Sequence, residues 1–318
     1  MSSSEVRSAA DPLEKPLCFN LPRRTRLQMS GADRVKFLHN LSTAEIKKLP
    51  PGQGCETFIP TLQGRILGHF FALPTDNSIL LTGVSNQAET LLPHFQKYAV
   101  IEDVEVVDRT ADTSEYLLVG PHAATWIEQT WGIAPPETNL QIVADDDVTI
   151  YRTPYVGHSA WGVIASGENQ AAPADALAAL PQGTEEALSA LRIEAGFPYF
   201  GRDITSENLA QEADRDAAAI SFTKGCYLGQ ETIARIDALG HVNRRLLGVK
   251  FAAKPSDEAT FEIDGKSALN VTSIAFSQDQ DQWIGLAMVR RGFDKPGQTW
   301  ETSNGPVEIT ALPFSSKK

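Results

Sequence analysis

The sequence has little basic charge, few thiols and no long apolar run, and each shortage argues against a class of function. Lysine and arginine number 28 against 40 aspartates and glutamates, for a formal net charge of −12. A nucleic-acid footprint needs concentrated cations to neutralise phosphates, so no direct nucleic-acid partner is expected. The three cysteines, Cys18, Cys55 and Cys226, are odd in number, far apart and never spaced C-x-x-C. This argues against a disulfide framework and a cysteine zinc site, so reduced thiols and no metal are expected. No apolar stretch approaches the ~18 residues needed to cross a bilayer. The opening MSSSEVRSAADPLEKP lacks the basic and apolar regions of a signal peptide. A cytoplasmic protein without a membrane partner is expected.

What is present is a chain of 318 residues, 42% hydrophobic and 21% charged, which is ordinary globular composition. Single cores stop growing near ~250–300 residues, so at least two domains are expected. Residues 1–20 look loose. Val35, Leu38 and Leu41 recur at helical spacing after Ser30 and Asp33, which resemble a capping box. A second short helix is expected over Ala44–Leu49, stopped by Pro50-Pro51. The runs CETFIP, RILGHFFAL and SILLTG read as a β-meander, and NQAETLLPHFQKYAV returns to helix. VEVVDR, EYLLVG, VTIYRT and WGVIAS add strands, with a helix over PHAATWIEQTW. The segment NQAAPADALAALPQG fits either a linker or a short helix, and Thr184 opens a helix that ends at Gly196 and Pro198. After Gly240 come the short strands RLLGVKF, VTSIAFS, WIGLAMV and VEITALPF, a small β-barrel or sandwich. Helices and strands mix without regular βα alternation, so the class is α+β.

Two stretches carry candidate chemistry. In KGCYLGQETIARI, Cys226 follows Gly225, whose backbone is free to adopt unusual conformations, and precedes a helix expected to begin near Gly229. Beside Lys224 and a helix N-terminus its thiolate would be stabilised; packed as a small hydrophobe it would be inert. From Ser221 to Lys250 the chain is locally cationic: Lys224, Arg235, Arg244, Arg245 and Lys250 face only Glu231 and Asp237. In LRIEAGFPYFGRDI, Glu194 falls in the last turn of its helix, against the negative end of the dipole, a cost of ~0.3–1 kcal/mol that something must compensate. It would accept hydrogen bonds from a ligand with paired donors, such as the amino-lactam edge of a pterin, or pair with a neighbouring arginine at the surface. Tyr199, Phe200 and Tyr227 are the candidate stacking partners.

RIEAGFPYFGRDI, ISFTKGCYLGQETIARI and GHVNRRLLGVKF together resemble the signature of the YgfZ folate-binding proteins, relatives of the aminomethyltransferase (T-protein) of the glycine cleavage system. The core KGC-aromatic-x-GQE is matched at every position from Lys224 to Glu231. The resemblance covers nearly the whole chain, least at 111–183. It implies three subdomains around a pocket for tetrahydrofolate or a one-carbon derivative, divided as residues 21–240, two intertwined α+β subdomains, and 241–318, a C-terminal β-barrel. It also implies a folate-binding accessory protein for assembly or repair of iron–sulfur proteins, including ones that act in tRNA modification. Its partners would be a reduced folate and iron–sulfur client or assembly proteins. On this reading Cys226 is the candidate reactive residue, exposed beside the pocket, and Glu194, Lys224, Tyr227 and Arg235 are the candidate cofactor-binding residues.

The T-protein pattern has an acidic pair after its glycine-rich turn, whereas this chain reads QGRILGHF, with Gly68-His69 at that place. Neither residue supplies a carboxylate, and His69 is either a neutral partner near the folate or structural. The alternative function is a folate-dependent one-carbon transferase that uses a different acid.

Overall fold

In the computed structural model, residues 15–84, 86–145, 147–167, 170–255, 260–263, 265–302 and 305–314 are described. They form three sheets whose ladders are all antiparallel. The first runs in the order Leu17–Asn20, Ser114–Val119, Ala160–Ala165, Val148–Arg152, Ile142–Ala144. The second runs Cys55–Pro60, Ile66–Pro74, Ile79–Gly83, Thr25–Ser30, Glu105–Asp108. The chain lays one strand of the first sheet, builds the whole of the second, and then returns, so the two subdomains are interleaved. The third sheet, Thr260–Ile263, Lys266–Ser277, Gln282–Arg290, Arg244–Phe251, Gly305–Thr310 and Thr299–Thr302, brings its two edges together as a nearly closed barrel.

Each sheet hides one face behind helices. Arg34–Leu41 and Ala88–Tyr98 cover the second sheet through Phe37, Leu38, Leu91 and Phe95. Ala123–Trp131 and Ala171–Ala178 cover the first through Ile127 and Leu177, so the alanine-rich stretch is a helix. The other faces of these sheets share a core of Phe71, Leu73, Leu117, Tyr151 and Ile164, into which Leu191 and Phe197 project. A further cluster joins Phe58 and Ile66 to Ile193, Tyr227 and Ile233 and then to Leu246, Ile284 and Leu286 of the barrel. Among the described residues no helix is long and apolar enough to cross a membrane.

Three local expectations differ. Leu17–Asn20, read as loose, is an edge strand in register with Ser114–Val119, because Cys18 and Phe19 alternate into two different cores. Residues 44–49 form no helix. The Thr57 hydroxyl takes the Ala44 N–H at 3.0 Å, and the carbonyls of Ser42 and Ala44 are taken by Lys224, which leaves too few free backbone groups to start one. Ser30 does not cap the helix that starts at Arg34. Asp33 occupies that position, and its carboxylate accepts from the Asp103 N–H at 3.0 Å instead.

Buried charge ties the subdomains together. Arg192, in the helix Glu185–Glu194, is 2% exposed and donates to Asp203 and to the Phe197 carbonyl at 2.7 Å each and to Ser273 Oγ at 2.8 Å. Asp203 accepts in addition from Thr272 and Ser273, 2.6 Å each, on the barrel strand Lys266–Ser277. Removing one member of a buried pair strands the other, at a cost of about 3–5 kcal/mol. Asp203→Ala should therefore lower the unfolding free energy in urea by about that amount, and a loss below ~1 kcal/mol, the range of exposed pairs, would show that the pair does not hold the barrel in place.

Candidate functional site

Glu194 is the last residue of a helix whose start is well made. Thr184 Oγ1 accepts from the Ala187 N–H at 3.2 Å, and Glu185 and Glu186 sit in the first turn, where negative charge is favoured. At the other end Gly196 takes a φ of +67°, and a side chain there would meet Leu312 at 2.7 Å. The carboxylate at the unfavourable end is compensated. Ser277 Oγ donates to Glu194 Oε1 at 2.5 Å, and His158 Nε2 stands 3.9 Å from Oε2. His158 also faces Asp279 Oδ2 at 3.7 Å. Its hydrogen-bonding partner Glu194 raises its pKa above the usual imidazole value; burial opposes this, and the negative charges of Asp279 and Glu194 add to it.

Glu194, His158 and Asp279 stand at the wall of a cavity of about 760 Å³. Ile274, Phe276 and Trp283 from the barrel supply its apolar side, with the Phe276 and Trp283 rings edge to face at 5.6 Å. The arrangement places a carboxylate acceptor, held from behind by a buried hydroxyl, beside aromatic surface, which suits a flat heterocycle with paired donors. Only Glu194 of the five sequence candidates lines this cavity.

The other four lie on the motif segment, which docks elsewhere. Leu228 N–H bonds to the Asn40 carbonyl and Ser221 N–H to that of Thr43, both at 2.9 Å. Lys224 is buried, and its Nζ donates to the carbonyls of His39, Ser42 and Ala44 at 2.6, 2.8 and 2.6 Å. His39 lies in the last turn of the helix Arg34–Leu41, Ser42 is its C-cap residue and Ala44 follows just after, so the ammonium closes the helix C-terminus and the chain that leaves it. Burial lowers its pKa to about 8, with Glu45 opposing. Tyr227 is buried under this ammonium, 4.9 Å from its ring centroid, and burial pushes its phenol up to about 12. Arg235 is exposed on the helix Gln230–Leu239.

Cys226 is exposed, as expected, but does not line the cavity. The Lys224 ammonium is held by carbonyls and its charged neighbours are Glu45 and Lys47, while the helix starts four residues after the thiol. The glycine that the motif requires is Gly229 rather than Gly225. Gly229 adopts φ +78°, and a Cβ there would lie 2.3 Å from the Thr61 carbonyl, whereas one on Gly225 would meet nothing within 4 Å.

His69 is buried in the second sheet, where Phe197 stacks on it at 5.1 Å. Its Nε2 lies 2.8 Å from Glu56 Oε1, and Arg215 grips both oxygens of Glu56. Burial alone would raise Glu56; the hydrogen bonds from Arg215 and His69 outweigh it and bring the carboxyl down to about 2. Gly68 has no room for an acid, since a Cβ would stand 2.8 Å from the Phe70 ring and 2.9 Å from Leu91. Sequence reasoning missed Ser277 and Asp279, at one strand end and the turn after it, and His158, in a loop far away in sequence. Their one signal was the need for something to compensate Glu194.

The thiols should report this geometry. Burial pushes both Cys18 and Cys55 up to about 12. With an alkylating reagent at neutral pH, exposed Cys226 should be modified first, partly exposed Cys55 much more slowly and buried Cys18 only on unfolding, as read by mass spectrometry of the native protein. Equal labelling of all three would contradict the placement.

Residues 17–224 match the family model described as the GCVT N-terminal domain, and residues 244–315 that of the glycine cleavage T-protein C-terminal barrel domain. A chloroplastic protein of Arabidopsis thaliana, named provisionally as a transferase, is 30% identical over 294 residues; the match covers 86% of this chain and 65% of that one, so this chain spans less than two thirds of that relative. The tRNA-modifying protein YgfZ of Colwellia psychrerythraea is 25% identical over 244 residues, covering 75% of this chain and 71% of its own. The aminomethyltransferase T of the Bartonella henselae glycine cleavage system superposes with a TM-score of 0.85 at 19% identity, covering 95% of this chain and 86% of that one. With both family domains matched in order across nearly all described residues, the chain belongs to the glycine cleavage T-protein (GCVT) family of aminomethyltransferase-like proteins.

Proposed function

We propose that this protein binds a reduced folate, tetrahydrofolate or a one-carbon derivative, and serves as an accessory factor in the assembly or repair of iron–sulfur proteins, including ones that act in tRNA modification. The observation that carries the folate reading is the Glu194 carboxylate, oriented by Ser277 on the wall of an apolar cavity of about 760 Å³. A pterin presents an amide N–H and an amino group on one edge, and a carboxylate accepts both. The walls formed by Trp283 and Phe276 would take the ring face. The reading as an accessory factor is supported by the complete motif from Lys224 to Glu231, by its exposed thiol, and by a YgfZ relative described as tRNA-modifying.

The second reading, one-carbon transfer, has the fold likeness and the family in its favour. It lacks an acid at the place where the T-protein pattern has one. Gly68 has no space for one, and Glu56, the carboxylate that meets His69, is clamped by Arg215 and held ionised at about 2, so it has no proton to give at neutral pH. Appreciable aminomethyl transfer in a reconstituted glycine cleavage assay would favour this second reading over the first.

Folate affinity should be in the low micromolar range or weaker, near −8 kcal/mol. Glu194→Gln should weaken it by about 1.5–3 kcal/mol, the size of a charge-assisted hydrogen bond, in calorimetric titration. Equal affinity would remove Glu194 from the site.

Cys226→Ser should leave that affinity nearly intact, because the thiol does not line the cavity. It should nevertheless fail to restore iron–sulfur enzyme activity in cells lacking the native factor. Full restoration would mean that the thiol is dispensable and that the folate cavity carries the role alone.

A further inference from the structure

We propose that His158, Glu194 and Asp279 form a binding site for a first-row divalent cation at the wall of the cavity. One nitrogen and two carboxylate oxygens, drawn from three separate segments, have their ligand atoms within 4.8 Å of one another. His158 Nε2 is 3.9 Å from Glu194 Oε2 and 3.7 Å from Asp279 Oδ2. A tetrahedral ion with bonds of ~2.0–2.1 Å holds its donors roughly 3.4 Å apart; the two spacings to His158 are within about half an ångström of that, and the two carboxylates, no more than 4.8 Å apart, close on the ion by side-chain rotation.

The donors are also prepared for such a role. Glu194 Oε1 is occupied by the Ser277 hydroxyl at 2.5 Å, which fixes the carboxylate and leaves Oε2 turned toward His158. A hydrogen-bonded outer partner of this kind is what orients a metal-ligating carboxylate. The charge is unbalanced as well. Two carboxylates face one imidazole, and no ion pair to a lysine or arginine is found for either among the described residues. All three donors line the cavity, from which water or a ligand atom can reach a bound ion. One nitrogen with two carboxylates suits Zn²⁺ or Mn²⁺ better than the thiolate-seeking Cu⁺.

The inference does not depend on folate, although the two would compete where they share Glu194. Zn²⁺ and Mn²⁺ should each be titrated calorimetrically into the full chain after chelator treatment, with no folate present. One ion per chain is expected. His158→Ala and Asp279→Asn should each weaken it roughly 10- to 100-fold, at least the loss that even outer-shell changes produce. Both variants should keep the parent's urea midpoint, because both side chains are about a third exposed. Cys226→Ser should bind as the parent does. No binding at millimolar metal, unchanged affinity in both variants, or loss of binding in Cys226→Ser would each overturn the assignment. If metal binds as expected while folate does not, the folate reading fails alone.

Discussion

Much of the architecture depends on one buried ion pair, Arg192 with Asp203. The helix that carries Arg192 also carries Glu194, and the strand that meets Arg192 through Ser273 meets Glu194 through Ser277. Helix and barrel are thus fixed at two points. Between and beside these points lies the cavity with Ile274 and Phe276 on its wall. Without the inner bond, the outer one would have no reason to hold its geometry. A carboxylate at a helix C-terminus is disfavoured by the dipole, and Glu194, 13% exposed, would turn to water.

Buried polar groups recur wherever the subdomains meet. Arg24 and Arg26 converge on Glu115, which also accepts from Thr82 and Tyr151 at 2.6 Å each. Thr82 lies in the second sheet and Glu115 and Tyr151 in the first, so this network fixes the face-to-face register of the two sheets. Glu56, His69 and Arg215 do the same between the second sheet and the segment that leads to the motif. Apolar surface drives these layers together without direction. The ionic groups tolerate only one placement, because each is costly to bury unpaired.

Periodicity made the helices and most strands legible, as did the change to short strands after Gly240. The short edge strand Leu17–Asn20 was not legible, since four residues beside prolines carry no measurable alternation and its partner lies about a hundred residues away. The absence of a helix over 44–49 was hidden for a related reason. It depends on Thr57 and Lys224, both remote in sequence, taking up the backbone groups of that stretch. Within the site, Glu194 was readable from its awkward position on the helix, and Cys226 from its motif. Lys224 and Tyr227 shared that motif for a different purpose. A motif fixes residue identities, and a buried lysine that caps a helix requires its identity as strictly as one that binds a ligand.

That distinction explains the cysteine. The segment from Ser221 to Leu228 is held on the end of the helix Arg34–Leu41 by the Lys224 ammonium, by the N–H groups of Ser221 and Leu228, and by the Thr43 hydroxyl on the Ala219 carbonyl at 2.6 Å. Gly229 then lets the chain pass within contact of the turn at Thr61 before the next helix begins. Between these anchors Cys226 is exposed, on a backbone with little freedom to withdraw it. Desolvation makes the thiolates of buried Cys18 and partly exposed Cys55 unfavourable. The motif therefore acts on the thiol through the backbone. It presents the thiol, and Lys224 contributes by holding the loop from which Cys226 projects.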